Sequence, residues 1–589
     1  MSQQYRSVAT KPFSGQKPGT SGLRKKTTVF QQPHYVENFV QATFDALGGS
    51  EKLRGKTLVV GGDGRFFNKN MCQTICKMAC ANGLGRVWIP KDGLISTPAV
   101  SCVIRERENG VACGAFILTA SHNPGGPTND CGIKYNTEGG GPAPESLTDA
   151  IYARTEKIDC YFKADFADID ISKIGSHEPA SGFRVEVIDG TEDYVKMVQR
   201  LFDMKLIKSL LSRKDFRFVY DGMDGVAGPF AKAVFHQILG VSLENLLGCD
   251  PSEDFNGGHP DPNLTYAERL VEIMGLNRDG SINAAHAAKS VPDFGAAADG
   301  DADRNMILGN RFFVTPSDSL AVLAAKVASC VPYFATGGLK SVARSMPTSA
   351  AVDLVAKKLN IPCFEVPTGW KFFVNLCDAK ELGKGDWSPL LCGEESFGTG
   401  SSHIREKDGI FAVLCWLSVL AKANETTKEG QLVSVQQIVE AHWQEFGRNH
   451  YQRYDYEECD SGKAKEFTDR LTKLIAEFKS GQKHKLLNGF ELSVCDEFAY
   501  TDPVDGSVSK NQGWRFLLAD GSRFVFRLSG TGSSGATVRL YLEKFTPPSA
   551  GKEALVQSPT QALKPLIEAA LEFAKLKDML GRDAPTVIT

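Results

Sequence analysis

The sequence predicts an α/β protein of several packed domains that ends in a smaller α+β unit. Three observations predict it. Apolar runs that end in Gly/Asp loops recur as TLVVGGDGRF from Thr57, AFILTASHNPGG from Ala115 and FRFVYDGMDG from Phe216. Such runs read as buried parallel strands whose carboxyl ends open into loops. Helical periodicity separates them over 68–80, 193–211 and 351–359, the alternation of an α/β chain. The C-terminal stretch reads differently, with a helical pattern over 461–479 followed by the short strand patterns ADGSRFVFRLS and ATVRLYLE.

A chain of 589 residues is too long for one hydrophobic core, and size alone suggests roughly three to five units. Breaks near 200, 316 and 430 divide it into 1–200, 201–316, 317–430 and 431–589. The similarity of the strand-loop runs hints at repeated domains, although as sequence the repeat is too degenerate to prove it. Ligands of open α/β sheets sit beyond the carboxyl ends of strands, so the loops at 119–126 and 299–305 are the favoured places for chemistry.

Composition narrows the function. Apolar residues make up 42% and charged residues 23%, as in ordinary globular proteins. A net charge of −3 gives no general attraction to nucleic acid or anionic membrane, so an anionic ligand must be held by locally placed Arg and Lys. The 15 cysteines lack C-x-x-C pairs, which argues against a disulfide framework or structural zinc and for a reducing, cytoplasmic setting. Cys72, Cys76 and Cys80 share one face of a predicted helix, and burial is expected to explain them better than metal or redox chemistry. The first residues lack an apolar signal core, and the longest apolar stretch, Ile410 to Ala421, falls short of the ~20 residues of a spanning helix. Neither export nor membrane insertion is expected.

Four segments carry candidate chemistry. Thr119-Ala120-Ser121-His122-Asn123-Pro124-Gly125-Gly126 puts a serine beside a histidine directly after an apolar strand, where a rigid strand end can present a nucleophile. In Asp299-Gly300-Asp301-Ala302-Asp303-Arg304, three carboxylates alternate; in an extended loop they would converge on one hard cation. An EF-hand is excluded, because Arg304 stands where glycine is needed and Asn310 where a bidentate glutamate is needed. Three carboxylates leave coordination positions for water and a phosphate oxygen, as suits magnesium. Gly530-Thr531-Gly532-Ser533-Ser534-Gly535 matches G-x-G-x-x-G, but a second strand pattern follows it where a dinucleotide fold needs a helix. What remains is a Gly/Ser/Thr loop flanked by Arg527 and Arg539, a phosphate cradle. Gly393-Glu394-Glu395-Ser396-Phe397-Gly398 lacks the first glycine of a nucleophile elbow and offers acceptors and a hydroxyl for sugar hydroxyls. Each segment also has a plainer reading as a turn, a solvated acidic loop or a hairpin.

Together these segments closely resemble the α-D-phosphohexomutases and, within them, the eukaryotic phosphoglucomutases. KPGTSGLRKK (17–26), TASHNPGG, GIKYN (132–136), DGDADRN, PTGWKFF (367–373), GEESFGTGS, HIREKDGI (403–410), DPVDGS (502–507) and RLSGTGSSGATVRLY (527–541) all look like that family and span nearly the whole chain. The resemblance implies three similar α/β domains and a fourth α+β domain around a central cleft. It implies that 1–200 carries the phosphoserine, 201–316 the metal, 317–430 the sugar and 431–589 a second phosphate site. Ser121 would be the phosphorylated nucleophile, and Asp299, Asp301 and Asp303, with Ser121, would hold Mg2+. Arg24 and Arg304 would hold the reacting phosphate; Thr368, Gly369, Glu394, Ser396 and Lys407 the sugar; Arg527, Ser529, Gly530, Thr531 and Arg539 the other phosphate. His122 and Lys134 match positions near the reacting centre, either of which could handle the proton. GPTNDCGIKYN departs from the family's usual wording between the serine loop and Lys134.

The implied activity is interconversion of glucose 1-phosphate and glucose 6-phosphate, with glucose 1,6-bisphosphate as the activating intermediate and a monomer or dimer as the working form. Rival readings are a phosphomannomutase or N-acetylglucosamine phosphate mutase, a phosphatase that passes phosphate to water, and a scaffold like the parafusin-like members associated with regulated exocytosis. GEESFG resembles the glucose-preferring wording, and the intact nucleophile, metal and phosphate residues favour catalysis.

Overall fold

Thr57–Gly62, buried at every residue, is the founding strand of the first sheet. The coordinates are a computed structural model that describes residues 5–19, 21–286, 288–529 and 535–589. Arg86–Pro90 and Ala112–Leu118 lie on either side of Thr57–Gly62, parallel to it, and Asp130–Thr137 returns antiparallel beside Ala112–Leu118. The arrangement then recurs. Phe218–Asp221 lies between parallel Leu246–Leu247 and Phe294–Ala297, with Met306–Gly309 antiparallel beside the latter. Ser341–Ser345 lies between parallel Cys363–Val366 and Leu390–Gly393, with Thr399–Ser401 antiparallel beside Leu390–Gly393. In all three units the strands stand in the same order, second, first, third, fourth. The repeat that was too faint to prove from sequence is thus explicit in topology.

This order positions the site. In each unit the hairpin between the third strand and its antiparallel return holds one of the candidate loops, at 119–129, 298–305 and 394–398. The parallel strands are apolar because helices cover them; Val59, Tyr220 and Val342 belong to one core that continues through all three units. Gly409–Ala423, the most apolar helix, is buried in the same core. No helix among the described residues is long and apolar enough to cross a membrane.

The C-terminal unit is a six-stranded, wholly antiparallel sheet. Helices Ser461–Lys479 and Pro559–Ala574 bury Phe467, Leu471, Leu563 and Leu566 against it, forming a separate core. Asp460 starts the first of these by accepting the Lys463 amide, an N-cap. The helix expected over 193–211 is two helices, Glu192–Leu201 and Met204–Leu211. The break follows from Asp203, whose carboxylate caps the amides of Lys205 and Leu206 and starts a new helix. Cys72 and Cys76 are fully buried, and burial pushes the Cys72 thiol up to about 12; that is an inert, packed thiol.

Two buried histidines give the fold a pH dependence. Burial holds His442 down at about 4 and His450 at about 3. Their folded values lie below the unfolded value near 6.5, so the unfolded chain binds protons that the native state refuses. Stability should therefore fall as pH drops from about 6.5 towards 4, by up to ~1.4 kcal/mol per pH unit for each ring. Denaturant midpoints across that range should shift less in His450→Gln, provided the variant folds.

Candidate active site

The first site loop begins where Ala112–Leu118 ends. Thr119 and Ala120 follow, and Ser121 takes a left-handed backbone with φ of 53°, a strained setting for a serine that the surroundings must enforce. The enforcement is visible. Arg65, buried and paired with Asp63 at 2.9 Å, donates to the carbonyls of Ser121 at 2.9 Å, Asn123 at 3.3 Å and Asp130 at 2.8 Å. Asp63 in turn accepts from the Thr119 hydroxyl at 2.6 Å, and that hydroxyl oxygen accepts the Ser121 amide at 2.7 Å. The serine therefore sits on a charged, hydrogen-bonded frame within its own unit.

Its hydroxyl reaches into the next unit. Ser121 Oγ donates to Asp299 Oδ2 at 2.9 Å, and Gly300 passes so close that a Cβ there would lie 2.7 Å from the Ser121 carbonyl oxygen. The acidic loop is a tight turn, not the extended segment expected from the alternating carboxylates; Ala302 takes a φ of 64°. Asp299 Oδ1 accepts the amides of Asp303 and Arg304, which closes the turn. The carboxylates of Asp299, Asp301 and Asp303 converge all the same, with oxygens within 4.8 Å of one another, all buried. Burial and the other two carboxylates drive Asp299 well above the ordinary carboxylate range. Burial also acts on Asp301, but Lys134, the Thr97 hydroxyl at 2.6 Å and Lys407 outweigh it and hold that group low.

Basic groups ring this cluster. Lys407 Nζ lies 3.0 Å from Asp303 Oδ1. Burial disfavours the Lys407 ammonium, but Asp303, Glu394 and Asp299 together outweigh it, so its value is raised. Arg304 approaches Asp261 at 3.4 Å and Asp299 at 3.9 Å. Arg24 comes from Leu23–Lys26, the strand paired with the return strand of the serine loop; burial lowers it while Asp301 and Asp303 support its charge. The Nε atoms of Arg24 and Arg304 and the Thr368 hydroxyl are buried without a hydrogen bond among the described residues. Donors left in this way suit an anionic, hydroxylated ligand. His122 Nδ1 lies 3.4 Å from Ser121 Oγ. Burial, helped by Arg304, Arg24, His259 and Lys407, drives that ring well below the ordinary histidine range, so it is neutral.

Glu394 starts the third loop and accepts the Gly369 amide at 3.1 Å; burial raises its carboxyl. Ser396 is half-buried in the same turn. Arg527 and Arg539 are direct partners on neighbouring C-terminal strands, as are Ser529 and Thr537. Arg527 donates to Gln512 O at 3.2 Å and Tyr541 Oη at 3.4 Å. Burial weighs against its charge, and Tyr541, Glu395 and Glu394 outweigh that burial and raise it. Arg539 lies 3.3 Å from Asp455. Gly530 and Thr531 lie outside the described residues.

Sequence reasoning missed four residues that the structure brings to the site. Arg65 braces the serine loop, Thr97 holds Asp301, His259 faces the His122 ring with centroids 6.4 Å apart, and Glu406 accepts from Lys134 at 3.1 Å. Arg65 stands just after a strand in GGDGRF and Glu406 within HIREKDGI, yet neither segment reveals a partner so far along the chain.

Four family models match the chain in order. They are phosphoglucomutase/phosphomannomutase alpha/beta/alpha domain I over residues 15–162, domain II over 192–311, domain III over 316–446, and the phosphoglucomutase-1 C-terminal domain over 448–586. The chain is 55% identical over 597 residues to the cytoplasmic phosphoglucomutase of Mesembryanthemum crystallinum and 56% identical over 595 residues to that of Solanum tuberosum, covering 99% of both chains each time. A crystal structure of the exocytosis-sensitive phosphoprotein pp63/parafusin, a phosphoglucomutase from Paramecium in its open form, aligns with a TM-score of 0.87 and 49% identity over 99% of both chains.

Proposed function

The chain belongs to the phosphoglucomutase/phosphomannomutase family, and on that premise we propose that it is a cytoplasmic phosphoglucomutase working through phosphorylated Ser121. The observation that carries the mechanism is the hydrogen bond from Ser121 Oγ to Asp299 at 2.9 Å, which joins a strained serine to a buried three-carboxylate cluster. Among the described residues Asp301 Oδ1 is buried without a hydrogen bond, Asp303 Oδ1 meets Lys407 Nζ at 3.0 Å, and a set of hard oxygen donors of this kind fits Mg2+. Asp299, Asp301 and Asp303, with Ser121, would hold the ion, which when bound supplies positive charge to the transferring phosphoryl group.

The remaining chemistry falls to the chain. A phosphoryl group carried on Ser121 Oγ passes to the free hydroxyl of the bound sugar phosphate: the Oγ–P bond breaks, a new O–P bond forms, and the hydroxyl proton leaves to the neutral His122 ring, or to Lys134 if that amine has first given up a proton. Glucose 1,6-bisphosphate then turns, its other O–P bond breaks, Oγ–P forms again and the departing sugar oxygen regains a proton. One serine serving both ends of the sugar requires two phosphate sites. Arg24 and Arg304 serve the reacting phosphate, and Arg527, Ser529, Gly530, Thr531 and Arg539 the other. Thr368, Gly369, Glu394, Ser396 and Lys407 hold the sugar in both orientations. On this division 1–200 supplies the nucleophile, 201–316 the metal ligands, 317–430 the sugar contacts and 431–589 the second phosphate site.

A coupled assay of glucose 1-phosphate conversion tests the activity. Glucose 6-phosphate should form with Mg2+, faster with a trace of glucose 1,6-bisphosphate; steady phosphate release without the isomer would mean a phosphatase. Arg527→Ala should weaken the grip on the non-reacting phosphate. Loss of a charge-assisted contact of roughly 1.5–3 kcal/mol should raise KM, lower kcat and let bisphosphate escape. Single-turnover release of bisphosphate, measured with folded fraction in parallel, checks this; unchanged release from folded protein would remove Arg527 from the site.

A further inference from the structure

One short segment of the third unit, 405–409, holds the other two units at the site. The Arg405 amide donates to Ser101 Oγ at 3.0 Å in the first unit. Lys407 pairs with Asp303 at 3.0 Å and the Gly409 amide donates to Ala302 O at 3.2 Å, both in the second. Asp408 accepts the Tyr194 hydroxyl at 2.6 Å. Between them Glu406, 2% exposed, sends its carboxylate back to the first unit, where one oxygen accepts from Lys134 Nζ at 3.1 Å and Asn136 Nδ2 at 2.8 Å.

Those two donors are alternate residues of the strand that returns from the serine loop, on which Lys134 stands opposite Ile117. They project to the same face, so one carboxylate from outside the sheet can fix both. Asn136 is itself held, donating to Gly140 O at 3.0 Å. It locates the carboxylate and leaves Lys134 as the mobile partner that the carboxylate orders. A lysine ammonium on a four-carbon stem has several rotamers, and one buried acceptor selects among them.

We propose that Glu406 is a positioning residue for this reaction: it aims Lys134 at the serine and carboxylate cluster, and does so only when the third unit is docked on the first. The proposal rests on the reading of Lys134 as a group of the reacting centre. It gives the enzyme a dependence of chemistry on domain docking, because the residue that aims Lys134 lies on a different unit from Lys134 and Ser121.

A double-mutant cycle tests it, with kcat and KM measured per folded molecule on glucose 1-phosphate. Lys134→Met should lower kcat by ~10²–10⁴-fold. Glu406→Ala should lower kcat by about 10–100-fold with KM within about threefold, and Glu406→Gln, which keeps an oxygen acceptor for both donors, should recover most of the loss. The Lys134→Met/Glu406→Ala double variant should be no slower than Lys134→Met alone. If Lys134→Met is fully active, Lys134 leaves the chemistry and the proposal falls with it. If Lys134→Met is slow but the two losses multiply, Glu406 acts independently of Lys134 and the proposal is overturned alone. Should Glu406→Ala fail to fold, Glu406→Gln and Glu406→Asp carry the cycle; normal kcat in Glu406→Asp, whose shorter side chain cannot reach both donors, would equally overturn it.

Discussion

Ser121→Ala is expected to fold like the parent and to lose at least ~10⁴-fold in kcat, as when a covalent nucleophile is removed. The fold should survive because the loop is held by main-chain contacts that alanine retains: Arg65 donates to three carbonyls, and Thr119 accepts the residue 121 amide. Alanine keeps the strained backbone at φ 53° but gives up the hydroxyl's bond to Asp299, a modest stability loss of ~1 kcal/mol. Binding of glucose 1-phosphate, which the proposed division gives to Arg24, Arg304 and the sugar loop, should stay within a few fold. A variant that turned over normally would place the nucleophile elsewhere; one that lost binding as well as turnover would mean that the hydroxyl is part of the substrate site and not the attacking group.

Asp301→Ala should act through charge. Asp299, Asp301 and Asp303 are buried with oxygens within 4.8 Å, and burial, with repulsion from the other two carboxylates, drives Asp299 well above its ordinary range. Such a cluster is a liability without a cation and an asset with one. Metal-dependent kcat in the variant should fall by on the order of 10²–10³-fold or more, comparable to removing one preorganised electrostatic contact. A second readout needs no catalysis. Mg2+ should raise the melting temperature of the parent by mass action and do so much less in the variant, whereas in chelator the variant should melt no lower than the parent beyond the loss of the Thr97 contact. Equal Mg2+ stabilisation of both proteins would move the metal away from this turn.

The parts of the fold legible in sequence were those set by local pattern. Thr57–Gly62 and Ala112–Leu118 are buried on both faces, so a continuous apolar run marks them, and Ser461–Lys479 has one apolar face and an Asp cap. The threefold repeat was not provable, because a shared strand order leaves no mark when the residues filling it differ. The acidic loop shows the same division. Three carboxylates pointed to a candidate cation site by chemistry alone, but the turn that gathers them depends on amides of Asp303 and Arg304 reaching Asp299, which alternation could not convey. Arg65 and Glu406 escaped notice because a buried charge is identified by its partner, and their partners lie on other strands or other units.

The most direct test of phosphate transfer through Ser121 is to locate the phosphate. Active protein turning over glucose 1-phosphate with a trace of glucose 1,6-bisphosphate should be quenched, digested and mapped by mass spectrometry. The expected result is one phosphate on the peptide containing Ser121, at that residue. Phosphate on another residue, or full activity in protein carrying none, would contradict the account.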